Sequence, residues 1–358
     1  MGEICQIPKG VRCCLGQRQV LLRVNDYNDP RFILYAIQSP MVQHEIGWNE
    51  GTGSTVSNVR IPVLKALGIP RPELAEQREI AETLGLLDDK IELNRQTART
   101  LEELTQRLFK SWFVDFDPVR AKMTGRQPAQ TPPEIADLFP DRLVDSPLGP
   151  IPEGWATRRL EDVAALDTTS VKPASEPDAE WQHYSIPAFD SGQIPFNELG
   201  ASIKSGKYRV KPGSVLVSKL NPGEWRAWLP DSCSITTRSI CSTEFMQFVV
   251  ENAKHRAFIW GLVNSAYFQA GVMETVSGTT GSRQRAQPKQ VKQLLIAMAD
   301  EKLFSAYSDF VLPMLDRQAD LLREMETLSQ LRDRLLPKLI SGEIRVPEAR
   351  GVAKESVS

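Results

Sequence analysis

Two stretches of the chain gather cations without acids. Lys204, Lys207, Arg209, Lys211 and Lys219 lie between Leu199 and Gly223, and Arg226 follows between Trp225 and Trp228. Arg283, Arg285, Lys289 and Lys292 lie between Thr275 and Ala299. Ser, Thr, Gln and Asn are interspersed, a mixture that suits phosphate contact and hydrogen bonding to base edges. Lys207, Arg209, Lys219 and Arg226 are therefore candidate phosphate or base contacts. Thr237, Arg238, Thr279, Thr280, Ser282, Arg283, Gln284 and Arg285 are candidates for loops that reach base edges. Solvated surface has the same composition, so each patch alone admits that reading too. The whole chain has 43 Lys and Arg against 45 Asp and Glu, a net charge of -2 that by itself points to neither nucleic acid nor membrane.

A search for catalysis returns nothing comparable. "GTGSTV" (51–56) and "GTTGSR" (278–283) lack the third glycine of a dinucleotide loop and the Gly-Lys-Ser/Thr ending of a phosphate loop, so both read as tight turns. His44, His183 and His255 are isolated, and no Ser-His-Asp, His-Glu-x-x-His or paired-cysteine arrangement occurs. Acid pairs such as Asp88-Asp89 and Glu102-Glu103 fall on polar helix faces. Cys5, Cys13, Cys14, Cys233 and Cys241 form no Cys-x-x-Cys pair and read as reduced thiols. No catalytic residue, metal site or cofactor is assigned to the chain. No apolar run is long enough to span a bilayer and the start carries no signal pattern, so a cytoplasmic, membrane-free protein is expected.

The elements that carry the cations emerge from hydrophobic spacing. Ile80, Leu84, Leu87, Ile91, Leu101, Leu104, Leu108 and Trp112 recur at three- and four-residue steps over 73–116. Leu312, Leu315, Ala319, Leu322, Leu328, Leu331, Leu335 and Leu339 do the same over 300–345. These are two long amphipathic helices whose terminal spacings are identical. Gly85 and Pro313 hold the same repeat position, where a kink or restart is expected in both copies. Upstream, "GTGST" (51–55) answers "GTTGS" (278–282), Ser39 answers Ser265, Gln17-Arg18 answers Thr237-Arg238, and Gly2-Glu3 answers Gly223-Glu224.

The chain is thus nearly two units at an offset drifting to about 228, each a globular part followed by a long helix. The equivalent of 151–222 has no partner near the N-terminus, so 1–72 reads as a partial first domain. Residues 117–150, with seven prolines, read as a linker with a possible helical turn at 134–138; 151–299 as a complete α+β domain; and 346–358 as a tail. Helices of about forty residues, about 60 Å long, need a partner, and an antiparallel pair would bury both stripes. Each folding back on its own domain is the other solution. Leu108, Trp112, Phe113 and Phe116 at the end of the first helix are either anchors for a partner protein or the cover of a local core.

"LAEQREIA" (74–81), "LDDKI" (87–91) and "LFKSWFVDFDPV" (108–119), with "PEGWATRRLEDVA" (152–164) and "LLPKLISGEIRV" (335–346), resemble the specificity subunit of type I restriction-modification enzymes. The resemblance covers essentially the whole chain. It implies an α+β fold with two α/β target-recognition globules, here with the first incomplete, separated by a pair of long antiparallel helices. It also implies a non-catalytic subunit that binds double-stranded DNA at a bipartite target. Its partners would be methyltransferase and restriction-translocase subunits, on which S-adenosylmethionine, ATP and magnesium would act. A chain with a shortened first domain could also pair with itself as a homodimer.

Overall fold

The structure, a computed structural model, describes residues 3–8, 10–16, 19–48, 60–129, 131–277 and 284–357. The chain divides into two compact units, Met1–Ala98 with Asp320–Ser358, and Arg99–Ala319.

The first unit is helical. It holds α1 (Pro30–Gln38), α2 (Pro40–Trp48), α3 (Ile61–Ala66) and the first part of α4 (Leu74–Phe113). Asp29 caps α1 by accepting from the Arg31 and Phe32 amides, and Pro30, which has no amide proton to satisfy, starts it. The stripe of α4 at Ile80, Ala81, Leu84, Leu87 and Ile91 is buried against Phe32, Tyr35 and Ala36. Leu328, Leu335, Leu336, Leu339 and Ile340 complete the same core. At its edge Asp88 receives the Tyr35 hydroxyl at 2.5 Å and the Arg332 guanidinium at 2.9 Å, while Lys90 pairs with Glu324 at 3.3 Å. The pairing order shows that the two helical segments run antiparallel here.

In the second unit, α4 continues from Arg99 and is followed by α5 (Asp117–Met123) and α6 (Pro133–Ala136). Strands β1 (Leu143–Val144) and β2 (Ile151–Pro152) pair antiparallel. Further along come β3 (Ala156–Arg159), β4 (Ala164–Leu166), β5 (Ser170–Val171), β6 (Glu180–Tyr184), α7 (Ile186–Asp190) and β7 (Phe196–Leu199). Next are β8 (Lys207–Arg209), β9 (Val215–Ser218), β10 (Ala227–Trp228), β11 (Ser239–Cys241) and β12 (Phe245–Val250). Helices α8 (His255–Val263), α9 (Ala266–Glu274) and α10 (Pro288–Val291), strand β13 (Leu295–Met298) and α11 (Glu301–Ser341) complete the unit as far as Ala319. One sheet has the order β10-β9-β12-β4 and another β5-β8-β11-β6-β7, while β13 pairs with β3. Val215, Val217, Met246 and Phe248 from β9 and β12 join Phe258, Ile259 and Phe268 in the core.

The aromatic cluster of α4 closes that core. Phe113 stacks on Phe304 with centroids 5.8 Å apart and meets Tyr307 edge-on at 5.0 Å; Trp112 meets Phe139 edge-on at 5.3 Å. Phe109 lies on Gly261, where any Cβ would fall within 2.2 Å of the ring. Trp112, Phe113 and Phe116 are 3%, 6% and 7% exposed, and Leu108 packs half-buried against the same cluster. Their expected role as partner anchors is therefore corrected to that of core cover: aromatic surface at a helix end is satisfied by aromatic neighbours from α8 and α11 of the same unit.

Several other expectations change. Neither long helix restarts at Gly85 or Pro313; each is one continuous helical span through that position. Gly85 instead admits a side chain: the Arg31 guanidinium lies where a Cβ would stand and bonds the Gly85 carbonyl at 3.3 Å and Asp89 at 2.7 Å. The proline-rich 117–150 stretch packs Val119 and Phe139 into the second unit's core and buries Ala136, and Pro118 and Pro133 stand in the first turns of short helices where a linker was expected. Residues 346–357 form α12 (Val346–Val357), which buries Val346, Ala349 and Ala353 in the first unit, where a tail was expected. Leu104 is 46% exposed and stands outside the buried stripe.

Candidate nucleic-acid interface

The second unit brings part of the cationic set together at a neck where Ser277 and Leu220 both bridge Arg285. Arg285 occupies the centre of that neck. Its backbone exchanges hydrogen bonds with Ser277 at 3.1 and 3.4 Å and bridges Leu220 on its other side. The flanking contacts follow the same register: the Asn221 amide donates to the Gln284 carbonyl at 2.9 Å and the Ala286 amide to the Lys219 carbonyl at 2.9 Å. Lys219 is itself tied down, its amide donating to the Glu244 carbonyl at 2.9 Å. Lys219, Asn221, Gln284 and Arg285 thus converge through backbone pairing of segments more than sixty positions apart.

Side chains then fix the neck. Arg285 grips Glu244 with two hydrogen bonds, Nε at 3.1 Å and Nη2 at 2.8 Å, a bidentate geometry that holds the guanidinium plane. The Arg285 hydrogen bond lowers the Glu244 carboxyl below its ordinary range against a counteracting effect of burial, and Lys219's charge lowers it further. Asn221 sits in the left-handed region at φ 46°, and its buried Oδ1 has no hydrogen-bond partner. Such a conformation suits Asn at a sharp turn.

The other candidates are dispersed. Lys207 is buried on β8 and donates to Ser205 Oγ at 2.5 Å, with burial lowering its pKa. Arg209 donates to the Thr237 carbonyl, and Arg238 pairs with Glu176 at 3.3 Å. Arg226 has a side chain 13% exposed, held by Asp190 at 2.7 Å and Glu224 at 2.7 Å. The Asp190 hydrogen bond leads the effects that raise its pKa. Both Lys207 and Arg226, expected as phosphate contacts, are thus occupied within the fold. Ser205 and Glu224 lie two positions from Lys207 and Arg226 along the chain, whereas Asp190 is 36 positions from Arg226 and only folding brings it there. Thr279, Thr280, Ser282 and Arg283 lie outside the described residues, as do "GTGST" and Gln17-Arg18 of the repeat.

Sequence reading missed Glu244 and Asn221. Nothing near Glu244 in sequence marks it, since its partner is 41 positions away. Asn221 did carry a signal, because Asn-Pro-Gly (221–223) is a turn signature. Among the described residues no cluster of three or more His, Cys, Asp and Glu could hold a metal ion, and no helix is long and apolar enough to cross a membrane.

This architecture combines mixed α+β structure with two long helices. The family described as the type I restriction modification DNA specificity domain matches residues 2–103. The MjaIX specificity subunit of Methanocaldococcus jannaschii is 23% identical over 324 residues, 83% of this chain and 65% of that protein. The HindI specificity subunit of Haemophilus influenzae is 24% identical over 347 residues, 82% of this chain and 73% of that protein. The chain thus spans just under two thirds of the length of the first of these relatives. A crystal structure of a type I restriction-modification S subunit from M. genitalium superposes with a TM-score of 0.50 at 15% identity, covering 86% of this chain and 72% of that one; at that identity the likeness concerns the fold alone. The family match over residues 2–103 and the two relatives are thus likenesses to type I specificity subunits, and the solved structure is a likeness of fold.

Proposed function

We propose that the chain is the DNA-reading subunit of a type I restriction-modification system, non-catalytic by itself, and that it directs methyltransferase and restriction-translocase subunits to a bipartite target in double-stranded DNA. Residues 151–299 would read one half-site, and the antiparallel helices would set the distance to the other. S-adenosylmethionine, ATP and magnesium would serve the partner subunits, with none assigned to this chain. The observation that carries this reading is the neck at Lys219, Asn221, Gln284 and Arg285. It gathers Lys219, Gln284 and Arg285 on a backbone fixed by cross-pairing, the rigid support that base-edge readout needs.

The test is genome-wide adenine methylation, read by single-molecule sequencing in a host that expresses this chain with the methyltransferase encoded beside it. A split motif is expected, and Gln284→Ala is expected to relax one position of one half, since a lost base contact costs about 1–3 kcal/mol of discrimination. A palindromic split motif would assign both halves to the second unit acting in a homodimer. Absence of any motif would sink the reading and leave a helical scaffold that binds methyltransferase without productive recognition.

A further inference from the structure

By spacing, Glu102-Glu103 belongs to a polar helix face, and Glu103 does stand exposed and pairs with Arg107 at 3.6 Å. Glu102, its neighbour on α4, is half-buried and lines a cavity of about 270 Å³ within the second unit. Three aromatic side chains share the wall: Phe189 of α7, Trp225 just before β10 and Trp260 of α8. Gln193, Asn264 and Gln318 add amide side chains. Asn264 commits its Nδ2 to the Trp260 carbonyl at 3.0 Å, so what it can offer a ligand is its side-chain oxygen.

Charge decides what fits. Among the described lining residues Glu102 alone is charged. Among the described contacts its carboxylate receives only the Gln106 amide, Nε2 to Oε1 at 3.3 Å. Arg226, next to Trp225, is held by Asp190 and by Glu224 at 2.7 Å each. Burial pushes the Glu102 carboxyl above its ordinary range, and the charge of Glu103 adds to the shift. A carboxylate withdrawn from water without a cation is costly, and a ligand that brings the positive charge offsets that cost. The Nε1 atoms of Trp225 and Trp260 are buried and have no described partner, so the two indoles offer the cavity ring carbon rather than hydrogen-bond donors. Indole is the aromatic surface that cations favour. An anion would meet a carboxylate and no counter-charge.

We propose that this cavity binds an alkylammonium group, with the Glu102 carboxylate as counter-ion, the Asn264 side-chain oxygen as a further acceptor, and Phe189, Trp225 and Trp260 as the aromatic wall. Nothing in this site requires that the unit reads DNA. A volume of about 270 Å³ lies just below the range of about 300–1,000 Å³ usual for small-molecule pockets, which suits a ligand of a few heavy atoms. Two sources carry such a group: a free polyamine, and the lysine side chain of a bound polypeptide.

The experiment titrates the full chain with n-butylammonium chloride at constant ionic strength and follows the indole N–H resonances of Trp225 and Trp260, assigned through Trp225→Phe and Trp260→Phe. Saturable shifts of both resonances are expected. The neutral n-butanol is expected to bind at least about tenfold more weakly, and Glu102→Gln, which keeps the shape and removes the charge, to weaken n-butylammonium binding by at least about tenfold. Tighter binding of 1,4-diaminobutane than of Nα-acetyl-lysine amide would assign the site to a free polyamine, and the reverse order to a lysine side chain. Equal affinity for n-butanol, unchanged affinity in Glu102→Gln, or no shift of either resonance with n-butylammonium would each overturn the site. The n-butanol comparison uses the unaltered chain, so it stands even if a variant folds poorly.

Discussion

The helical hairpins α1–α2 and α8–α9 are the same device in two settings. In both, a serine ends the first helix and donates its hydroxyl to the carbonyl three residues back at 2.6 Å, Ser39 to Ala36 and Ser265 to Leu262. Both bury apolar side chains at matching positions. They differ in how they seat the long helix α4. At the position where α1 has Tyr35, α8 has Gly261. Tyr35 sends its hydroxyl to Asp88 of α4, and burial with that acid raises its pKa. Gly261 leaves room for the ring of Phe109. One hairpin is thus locked to α4 by a polar contact and the other by an aromatic one. Repetition therefore fixes the local hairpin, while the docking chemistry is free to diverge as long as each solution is complete.

The sharpest way to break that comparison is to remove aromatic docking. Phe113→Ala takes a ring from contact with Phe109, Phe258, Phe304 and Tyr307. It is expected to cost about 3–5 kcal/mol, read as a lowered denaturation midpoint of the second unit. A loss below about 1 kcal/mol would mean that the cluster is a surface anchor after all. A smaller effect tests the shared device. Ser265→Ala removes both the bond to Leu262 and the cap that accepts from the Phe268 amide, and is expected to cost about 1 kcal/mol. Ser39→Ala is expected to cost somewhat less, about 0.5–1.5 kcal/mol being typical of one hydrogen bond. Urea unfolding of the two variants makes the comparison directly, and a larger loss for Ser39→Ala would contradict the assignment of the extra cap to Ser265.

What could be read from sequence followed the range of the interactions involved. The long helices were legible because Ile80, Leu84, Leu87 and Ile91 report a buried stripe within a few turns, and the repeat was legible because it compares the chain with itself. Continuity at Gly85 was not legible, since it depends on Arg31 filling the space from another helix. The fate of Trp112 and Phe113 was equally hidden: their neighbours Phe258, Phe304 and Tyr307 lie 145 or more positions away. The candidate interface was legible in composition and not in geometry. Lys219, Gln284 and Arg285 meet through backbone pairing, which neither patch announces by itself. Arg226 and Lys207 carry the same signal but are bound to Asp190, Glu224 and Ser205.

The least disruptive test concerns the neck, where the Glu244 carboxylate holds Arg285 and the first repeat has no described equivalent. The Arg285 hydrogen bond leads the effects that hold the Glu244 pKa below its usual value. A carboxyl whose pKa is lowered by folding contributes stability that is complete above its unfolded value, about 4.3, and is lost as pH falls through the lower folded value. Acidification into that window is therefore expected to protonate Glu244 and release the Arg285 guanidinium. The backbone bonds of Arg285 to Ser277 would then loosen before the helices unfold. Amide exchange at Ser277 and Arg285 should accelerate over this window, and Glu244→Gln should remove that acid-dependent step by giving faster exchange already at neutral pH. The predicted change is small because Arg285 is exposed and solvent screens the pair. An unchanged pH profile in Glu244→Gln would show that cross-strand pairing alone holds the neck, and that the second repeat gains no closure from the ion pair its sheet provides.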